Sequence, residues 1–168
     1  MDYIAAIDQG TTSSRCIVFD HQGCLVASAQ KEHKQIYPKP GWVEHNPLEI
    51  LQNCRETFNA ALLSKNIQPA QVVAVGITNQ RETTLLWNHK TGKPYGNAIV
   101  WQDTRTEDIC DSLKMNGNEK IIQNKSGLPV STYFSGPKVK WLIENNPDIR
   151  KGIEKNEELH QLSRELFI

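Results

Sequence analysis

The feature that most constrains the fold is a pair of short β-prone runs near the N-terminus, at residues 3–7 and 15–19. The connection between them contains no apolar residue, so the chain must leave the interior there and then return. A third β-prone run at residues 25–29 follows the turn at residues 20–23. Because short connections join neighbouring strands antiparallel, we predict three consecutive antiparallel strands.

A helix is predicted after the loop rich in proline and glycine at residues 37–47. Asn46 supplies an N-cap, Pro47 suits the first helical position, and Glu49 is the acid of a capping box. Apolar residues then recur along one stripe of the helix, which we expect to face a sheet. The members of this stripe are Leu51, Cys54, Phe58, Ala61 and Leu62.

The next elements complete an α/β order. Residues 72–77 are nearly all β-branched, which is typical of a strand covered on both faces, and residues 83–87 predict a further strand. The remaining predictions are a short strand at 99–101 and helices at 105–114, 119–125 and 136–144. Three antiparallel strands followed by helix, strand and helix resemble the ribonuclease H-like unit of actin, the Hsp70 ATPase domain and the sugar kinases. That analogy concerns the fold alone.

The charge balance argues against nucleic acid as a partner. Lys+Arg and Asp+Glu both number 19, so no overall basic field attracts nucleic acid. The apolar runs are strand-sized and the N-terminus lacks the regions of a signal peptide, so we expect a cytoplasmic protein without membrane segments. The cysteines lack metal-site spacing, and we expect reduced, mostly buried thiols at Cys16, Cys24, Cys54 and Cys110.

The polar connection at residues 8–15 has the composition of an anion-binding loop. Gly10 permits a sharp turn, the hydroxyls that follow it offer donors to phosphate oxygens, and Arg15 adds a permanent charge. Asp8 at the strand end suits Mg²⁺ bound through water. The loop is not a Walker loop, because it runs into a strand. The alternative is a plain hairpin whose hydroxyls bond to their own backbone.

Four further segments carry a resemblance to a known family. "YPKPGWVEHNP", "GITNQRETTLLW", "GNAIVWQDTRT" and "YFSGPKVKWL" resemble segments of the glycerol kinases, which are FGGY carbohydrate kinases, in the same order. The resemblance covers roughly residues 3–160 and identifies the chain as the N-terminal part of such a kinase. It implies transfer of phosphate from ATP to glycerol, giving sn-glycerol 3-phosphate, with Mg²⁺. It also implies that the full-length family can form homo-oligomers.

The same resemblance implies roles for the loop residues. Thr11, Thr12 and Ser13 would contact the phosphates of ATP, and Arg15 would reach the same phosphates. Thr11 would also contact the phosphate of the product, and Asp8 would help to bind the metal through water.

For the substrate, the resemblance implies contacts with glycerol from Arg81, Glu82, Trp101 and Tyr133. All but Trp101 would also contact glycerol 3-phosphate. Arg81 can donate, Glu82 can accept, and Trp101 can supply an apolar wall for the carbon backbone. Without the resemblance, a solvated surface pair and a plain core tryptophan would be the better interpretations. The five histidines, at positions 21, 33, 45, 89 and 160, are expected at the surface.

The resemblance stops before a complete enzyme. The family's general-base aspartate lies in a Gly-Asp-Gln sequence of a second domain, and no such sequence occurs here, so no catalytic residue is expected in this chain. We expect residues 3–160 to be a truncated N-terminal domain, residues 161–168 to be a divergent tail, and the C-terminal kinase domain to be absent. A non-catalytic polyol-binding or interaction fragment, such as the remnant of a broken kinase gene, stays the alternative to a kinase. An actin-like ATPase does not explain the predicted glycerol contacts.

Overall fold

The computed structural model describes residues 2–154 and 159–161, which divide into two compact units. The first unit comprises residues 2–35 and 46–80, and the second comprises residues 36–45, 81–154 and 159–161. The strands are β1 (Tyr3–Gln9), β2 (Ser13–Phe19), β3 (Leu25–Glu32), β4 (Glu44–His45), β5 (Val72–Asn79), β6 (Leu86–Asn88), β7 (Ala98–Ile99) and β8 (Leu159–Gln161). The helices are α1 (Pro47–Leu63), α2 (Glu107–Met115), α3 (Asn118–Ser126), α4 (Ser135–Asn145) and α5 (Pro147–Glu154), with a 3₁₀ helix at Pro69–Gln71.

The first unit is built on a mixed four-stranded sheet in the order β3-β2-β1-β5. β1 pairs antiparallel with β2, and β2 pairs antiparallel with β3, which confirms the three consecutive antiparallel strands. β5 pairs parallel with β1. This order of elements is the predicted ribonuclease H-like α/β arrangement.

One face of the sheet forms the core beneath α1. Alternate residues of the strands are buried there, including Ala5 and Cys16, because successive side chains in a strand point to opposite faces. α1 packs against β1, β2 and β3. Asn46 caps the helix as predicted, since its side-chain oxygen accepts from the backbone N–H groups of Leu48 and Glu49. The predicted stripe also faces this core, with Cys54 and Leu62 buried.

The prediction that residues 72–77 are covered on both faces is wrong for the described residues. Val73, Val75 and Ile77 are 63%, 47% and 45% exposed. The β-branched composition reflects preference for a pleated backbone, which an edge strand satisfies as well as a central one. Within the described residues β5 lies at the edge of the sheet and pairs with β1 alone.

The second unit contains two small antiparallel sheets, β4 with β7 and β6 with β8, together with helices α2 to α5. The predicted strand at residues 83–87 is shifted, because Thr84 forms an isolated bridge to Ile99 and β6 begins at Leu86. α2 begins later than predicted, since the Asp103 carboxylate accepts from the backbone N–H of Arg105 and holds a turn there. The predicted helices at 119–125 and 136–144 are confirmed as α3 and α4.

The remaining predictions about organisation have mixed outcomes. Three of the four cysteines are buried and all four are free, while Cys24 is exposed. No helix in residues 2–154 is both long and apolar enough to cross a bilayer. The predicted tail at 161–168 lies outside the described residues, except for residue 161, and the domain boundary at 160 stays a prediction.

Candidate functional site

The connection between β1 and β2, which we call the hydroxyl loop (residues 8–15), is closed by its own backbone. The Gly10 N–H donates to the Ser13 carbonyl at 2.9 Å, and Gln9 Nε2 donates to the Gly10 carbonyl at 2.7 Å. A Cβ atom at Gly10 would lie 3.3 Å from the Ser13 carbonyl oxygen, which is closer than most Cβ contacts. Glycine therefore allows the two strands to approach at the tip of the loop.

The four consecutive hydroxyls of the loop do not share one environment. Ser14 is fully buried, and its hydroxyl accepts the Cys54 thiol at 3.4 Å in the core. Thr12 is exposed, while Thr11 and Ser13 are half-buried. The three residues predicted to contact phosphate are therefore separated from Ser14, which contributes to packing.

Asp8 and Arg15 lie opposite each other in the antiparallel register of β1 and β2, and both are exposed. Their positions alternate with the buried ones, so they occupy the sheet face that α1 leaves open. The Gln30 side-chain oxygen accepts from Arg15 Nη2 at 2.7 Å, and Gln30 Nε2 donates to the Ser13 hydroxyl at 3.0 Å. Gln30 thus links two predicted phosphate contacts, and the sequence analysis missed it.

Two further residues missed by the sequence analysis support Thr11. His33 Nε2 donates to the Thr11 carbonyl at 2.9 Å, and Gln35 Nε2 donates to the same oxygen at 3.1 Å. In the antiparallel β2–β3 pair Ser13 lies opposite Glu32, so the next residue, His33, lies beside the loop. Extending the predicted β2–β3 hairpin in register would have located His33 there. Burial lowers the pKa of His33, partly offset by its bond to the Thr11 carbonyl and by the charge of Glu49.

The prediction of surface histidines is therefore wrong for two of them. His33 is 6% exposed and His45 is fully buried, whereas His21 and His89 are exposed. The polar sequence around each buried ring suggested solvent, but the fold covers His33 beside the hydroxyl loop and His45 in β4. His160 belongs to a strand whose side chains are outside the described part of the chain.

The second group of predicted residues, which we call the Glu82 cluster (Arg81, Glu82, Trp101 and Tyr133), lies in the second unit. Glu82 has a φ of 62°, a left-handed conformation that is uncommon for residues other than glycine. Its carboxylate Oε2 accepts from the backbone N–H of Ser135 at 2.8 Å and from the Ser135 hydroxyl at 2.7 Å. The acid thus lies at the N-terminus of α4, where a negative charge is stabilised by the helix dipole.

The aromatic members of the cluster contact each other. The ring centroids of Trp101 and Tyr133 are 5.9 Å apart, with an interplanar angle of 64°. The Trp101 backbone N–H donates to the Thr83 hydroxyl at 3.3 Å, which places this indole next to the turn that carries Glu82. Tyr133 is 39% exposed and Trp101 is half-buried, so the pair is accessible rather than a plain core contact.

A buried ionic network fixes the segment that follows Trp101. Arg105, whose side chain is 2% exposed, donates to the fully buried Asp103 at 2.7 Å and to Glu44 at 2.8 Å. The Arg105 guanidinium also stacks over Trp42 and Trp141, at 3.8 and 4.9 Å from their ring centroids. Buried charges require such pairing, and this one anchors the connection between β7 and α2.

The structure brings Glu82, Trp101 and Tyr133 together, and Arg81 is exposed next to Glu82 in the chain. Asp8, Thr11, Ser13 and Arg15 lie together in the hydroxyl loop of the first unit. The Glu82 cluster offers a carboxylate acceptor, a cationic donor and an aromatic surface, which suit a small neutral polyol. The hydroxyl loop offers neutral donors and one cation, which suit an anion. Residues 2–154 contain no group of three or more His, Cys, Asp or Glu residues placed to hold a metal.

Comparisons with known proteins show similarity to glycerol kinases. The glycerol kinases of Roseiflexus sp. and Chloroflexus aggregans are 54% and 55% identical to this chain, over 94% and 90% of its length. The crystal structure of Plasmodium falciparum glycerol kinase with ADP superposes with a TM-score of 0.88 at 38% identity, covering 97% of this chain and 32% of that one.

The chain covers 32% and 30% of these two glycerol kinases, and so spans about a third of the length of the curated relatives it matches. Residues 3–164 match the family model described as "FGGY family of carbohydrate kinases, N-terminal domain". That match covers nearly the whole chain and includes both the hydroxyl loop and the Glu82 cluster. The chain therefore belongs to the FGGY family of carbohydrate kinases.

Proposed function

We propose that this chain supplies the glycerol-binding and phosphate-binding residues of a glycerol kinase, which transfers a phosphoryl group from ATP to glycerol to give sn-glycerol 3-phosphate. The observation that carries the proposal is the Glu82 cluster, in which an oriented carboxylate lies beside an accessible aromatic pair. The similarity to glycerol kinases across nearly the whole chain supports this choice among the carbohydrate kinases.

In this proposal the Glu82 cluster orients glycerol. Both bonds that the Glu82 carboxylate accepts from Ser135 involve Oε2, so we assign Oε1 to a glycerol hydroxyl. Arg81 donates to a hydroxyl oxygen, the Tyr133 phenol donates or accepts, and Trp101 covers the carbon backbone. Arg81, Glu82 and Tyr133 keep their contacts to glycerol 3-phosphate after transfer. Holding the hydroxyl in this way accounts for a large part of the catalysis of phosphoryl transfer.

The hydroxyl loop binds the phosphates. Thr11, Thr12 and Ser13 donate to phosphate oxygens of ATP, and Arg15 neutralises part of their charge. Thr11 also contacts the transferred phosphate in the product. The support of the Thr11 carbonyl by His33 and Gln35 fits this role, because donors that are held in place before binding stabilise developing charge without reorganisation.

Mg²⁺ would be held by Asp8 through water. Mg²⁺ prefers hard oxygen ligands, keeps several waters and often needs only one or two carboxylates in addition to the substrate phosphates. Asp8 fits this pattern because it is exposed at the end of β1, on the same sheet face as Arg15. When bound, the metal would neutralise charge on the phosphates. We assign no general base to the described residues. In this proposal they bind and orient glycerol and the phosphates of ATP, and a group outside them removes the proton from the glycerol hydroxyl.

The test is a titration of the isotopically labelled chain with glycerol, followed by NMR. We expect the indole N–H resonance of Trp101 to shift while that of Trp141, which packs on Arg105, stays in place. A parallel titration with Mg-ATP should shift the amides of Thr11 and Thr12 instead. Absence of any glycerol-dependent shift at Trp101, or equal shifts of both indoles, would contradict the proposal.

The same titrations separate a kinase segment from a fragment that binds polyol without catalysis. A kinase segment responds to glycerol in the Glu82 cluster and to Mg-ATP in the hydroxyl loop. A polyol-binding fragment responds to glycerol alone. A response of the hydroxyl loop to Mg-ATP that disappears in Thr11→Ala would favour the kinase.

A further inference from the structure

Lys138 is a buried cation that the sequence analysis did not single out. It lies in α4 with no exposed surface, and it is the largest fully buried side chain among the described residues. Its Nζ donates to the carbonyl oxygens of Tyr133 at 2.5 Å and of Glu82 at 3.3 Å, and lies 3.5 Å from that of Phe134. The ammonium group therefore joins the backbones of two members of the Glu82 cluster, which are widely separated in sequence.

Burying the ammonium group of Lys138 is unfavourable unless hydrogen bonds compensate for the loss of water. Burial lowers the pKa of Lys138 to about 8, even though the negative charges of Glu82 and Asp103 act in the opposite direction. An apolar side chain of similar length would fill the same space without the desolvation cost. What an apolar side chain could not do is donate to the carbonyls of Glu82 and Tyr133.

Ser135, one turn before Lys138, acts on the side chain of the same acid. Its N–H and hydroxyl both donate to Glu82 Oε2, which fixes the rotation of the carboxylate. The left-handed backbone of Glu82 is itself unfavourable for a residue with a Cβ atom. The first turn of α4 thus fixes both the strained backbone and the carboxylate of Glu82.

We propose that Ser135 and Lys138, which we call the α4 brace, are positioning residues that hold the Glu82 carboxylate and the Tyr133 segment in place for glycerol. This inference rests on the proposed function, because the ligand is glycerol. The brace touches the backbone or the carboxylate of the binding residues, while the polyol itself is contacted by Glu82 and Tyr133. The sequence "YFSGPKVKWL" contains both members of the brace and Tyr133.

The test compares three variants of the chain. Lys138→Met removes the ammonium group and keeps an unbranched apolar side chain, and Ser135→Ala removes only the hydroxyl. Lys140→Met is the matched control, because Lys140 is exposed on the same helix and pairs with Glu144. Four quantities are measured for each: the backbone amide resonances of residues 82 and 135 without ligand, the nuclear Overhauser effect between the Trp101 and Tyr133 rings without ligand, the glycerol affinity by NMR titration, and the melting temperature.

We expect Lys138→Met to move the Ser135 amide resonance, to weaken the ring-to-ring effect, and to lower glycerol affinity about tenfold or more, because a charge-assisted link is lost. Its melting temperature should stay within a few degrees of the parent, because the desolvation cost of the buried charge is removed while the carbonyls of Glu82 and Tyr133 lose a donor. Ser135→Ala should lower glycerol affinity by a smaller factor, about threefold, because its N–H bond remains. Lys140→Met should match the parent in all four measurements.

The brace is refuted if Lys138→Met keeps the Ser135 resonance and the glycerol affinity of the parent, or if Lys140→Met changes them equally. If Lys138→Met does not fold, Ser135→Ala decides: parent-like affinity and an unchanged Glu82 amide would refute the brace. If the parent itself does not bind glycerol, the proposed function fails. The measurements without ligand then still decide whether the brace orders the Glu82 cluster.

Discussion

The two units place their candidate residues in different ways. The hydroxyl loop of the first unit is one continuous hairpin, closed by backbone bonds such as that between Gly10 and Ser13. The Glu82 cluster of the second unit gathers residues from three separate segments, and buried ions hold these segments in place. The first arrangement follows from strand pairing, whereas the second depends on charged groups that have no access to water. The second should therefore be more sensitive to single substitutions.

The largest expected effect comes from breaking the ionic network of the second unit. Arg105→Ala would leave Asp103 buried and without its cation, and removal of one partner of a buried pair costs about 3–5 kcal/mol. The control is Lys31→Ala in the first unit, because Lys31 and Glu56 form an exposed pair whose loss should cost little. Urea unfolding of both variants measures the difference. Equal costs would show that the two units do not differ in this respect.

Lys138 in the second unit and Cys16 in the first should contribute to the pH dependence of stability with opposite signs. The folded-state pKa of Lys138 is lowered to about 8 from 10.5, so the unfolded chain binds more protons between these values, and this group makes stability rise with pH across that window. Burial acts oppositely on Cys16 of the first unit, whose pKa is raised to about 11 from 9.0, so its contribution falls as pH increases through that range.

The free energy of unfolding of the parent minus that of Lys138→Met, measured from pH 7 to pH 11, isolates the lysine. We expect this difference to increase with pH. For Cys16→Ala, the free energy of unfolding of the parent minus that of the variant should decrease with pH. Only the parent carries the buried thiol, which keeps its proton in the folded chain after the unfolded chain has lost it. A flat difference for Lys138→Met would mean that its ammonium group is solvated in the folded chain.

Ligand selectivity gives a sharper comparison. Arg81→Ala should lower glycerol affinity about tenfold and leave Mg-ATP affinity near that of the parent, because loss of one donor leaves a polar partner without its bond. Parallel titrations with glycerol and with Mg-ATP test this. Equal losses for both ligands would indicate that Arg81 acts on the fold rather than on a polyol.

The smallest expected effect on stability is that of Thr11→Ala. His33 and Gln35 hold the Thr11 carbonyl, which the substitution keeps, so the free energy of unfolding should stay within about 0.5 kcal/mol of the parent. Mg-ATP affinity should nevertheless fall, because a donor to phosphate is removed. Thermal unfolding and a Mg-ATP titration measure the two quantities. A large loss of stability with unchanged Mg-ATP affinity would assign the loop a purely structural role.

Local patterns determined much of this protein. Strand alternation and short connections predicted the β1–β2–β3 arrangement, and Asn46 followed by Pro47 predicted the start of α1, since these signals act between near neighbours. The recognised motifs predicted the members of the Glu82 cluster, although they could not specify the distances between them, and their binding roles stay predictions.

Only the tertiary structure decided which polar residues are buried and what they bind. Contacts between segments that are far apart in sequence produce three of these features. They are the burial of His33, the bond between Gln30 and Ser13, and the position of Lys138 next to the Glu82 backbone. The exposure of β5 could not be predicted from the sequence either, because a β-branched run has the same composition at an edge as in the centre of a sheet. Burial depends on which surfaces meet when the chain folds, and a buried charge persists only where that meeting supplies its hydrogen-bonding partners.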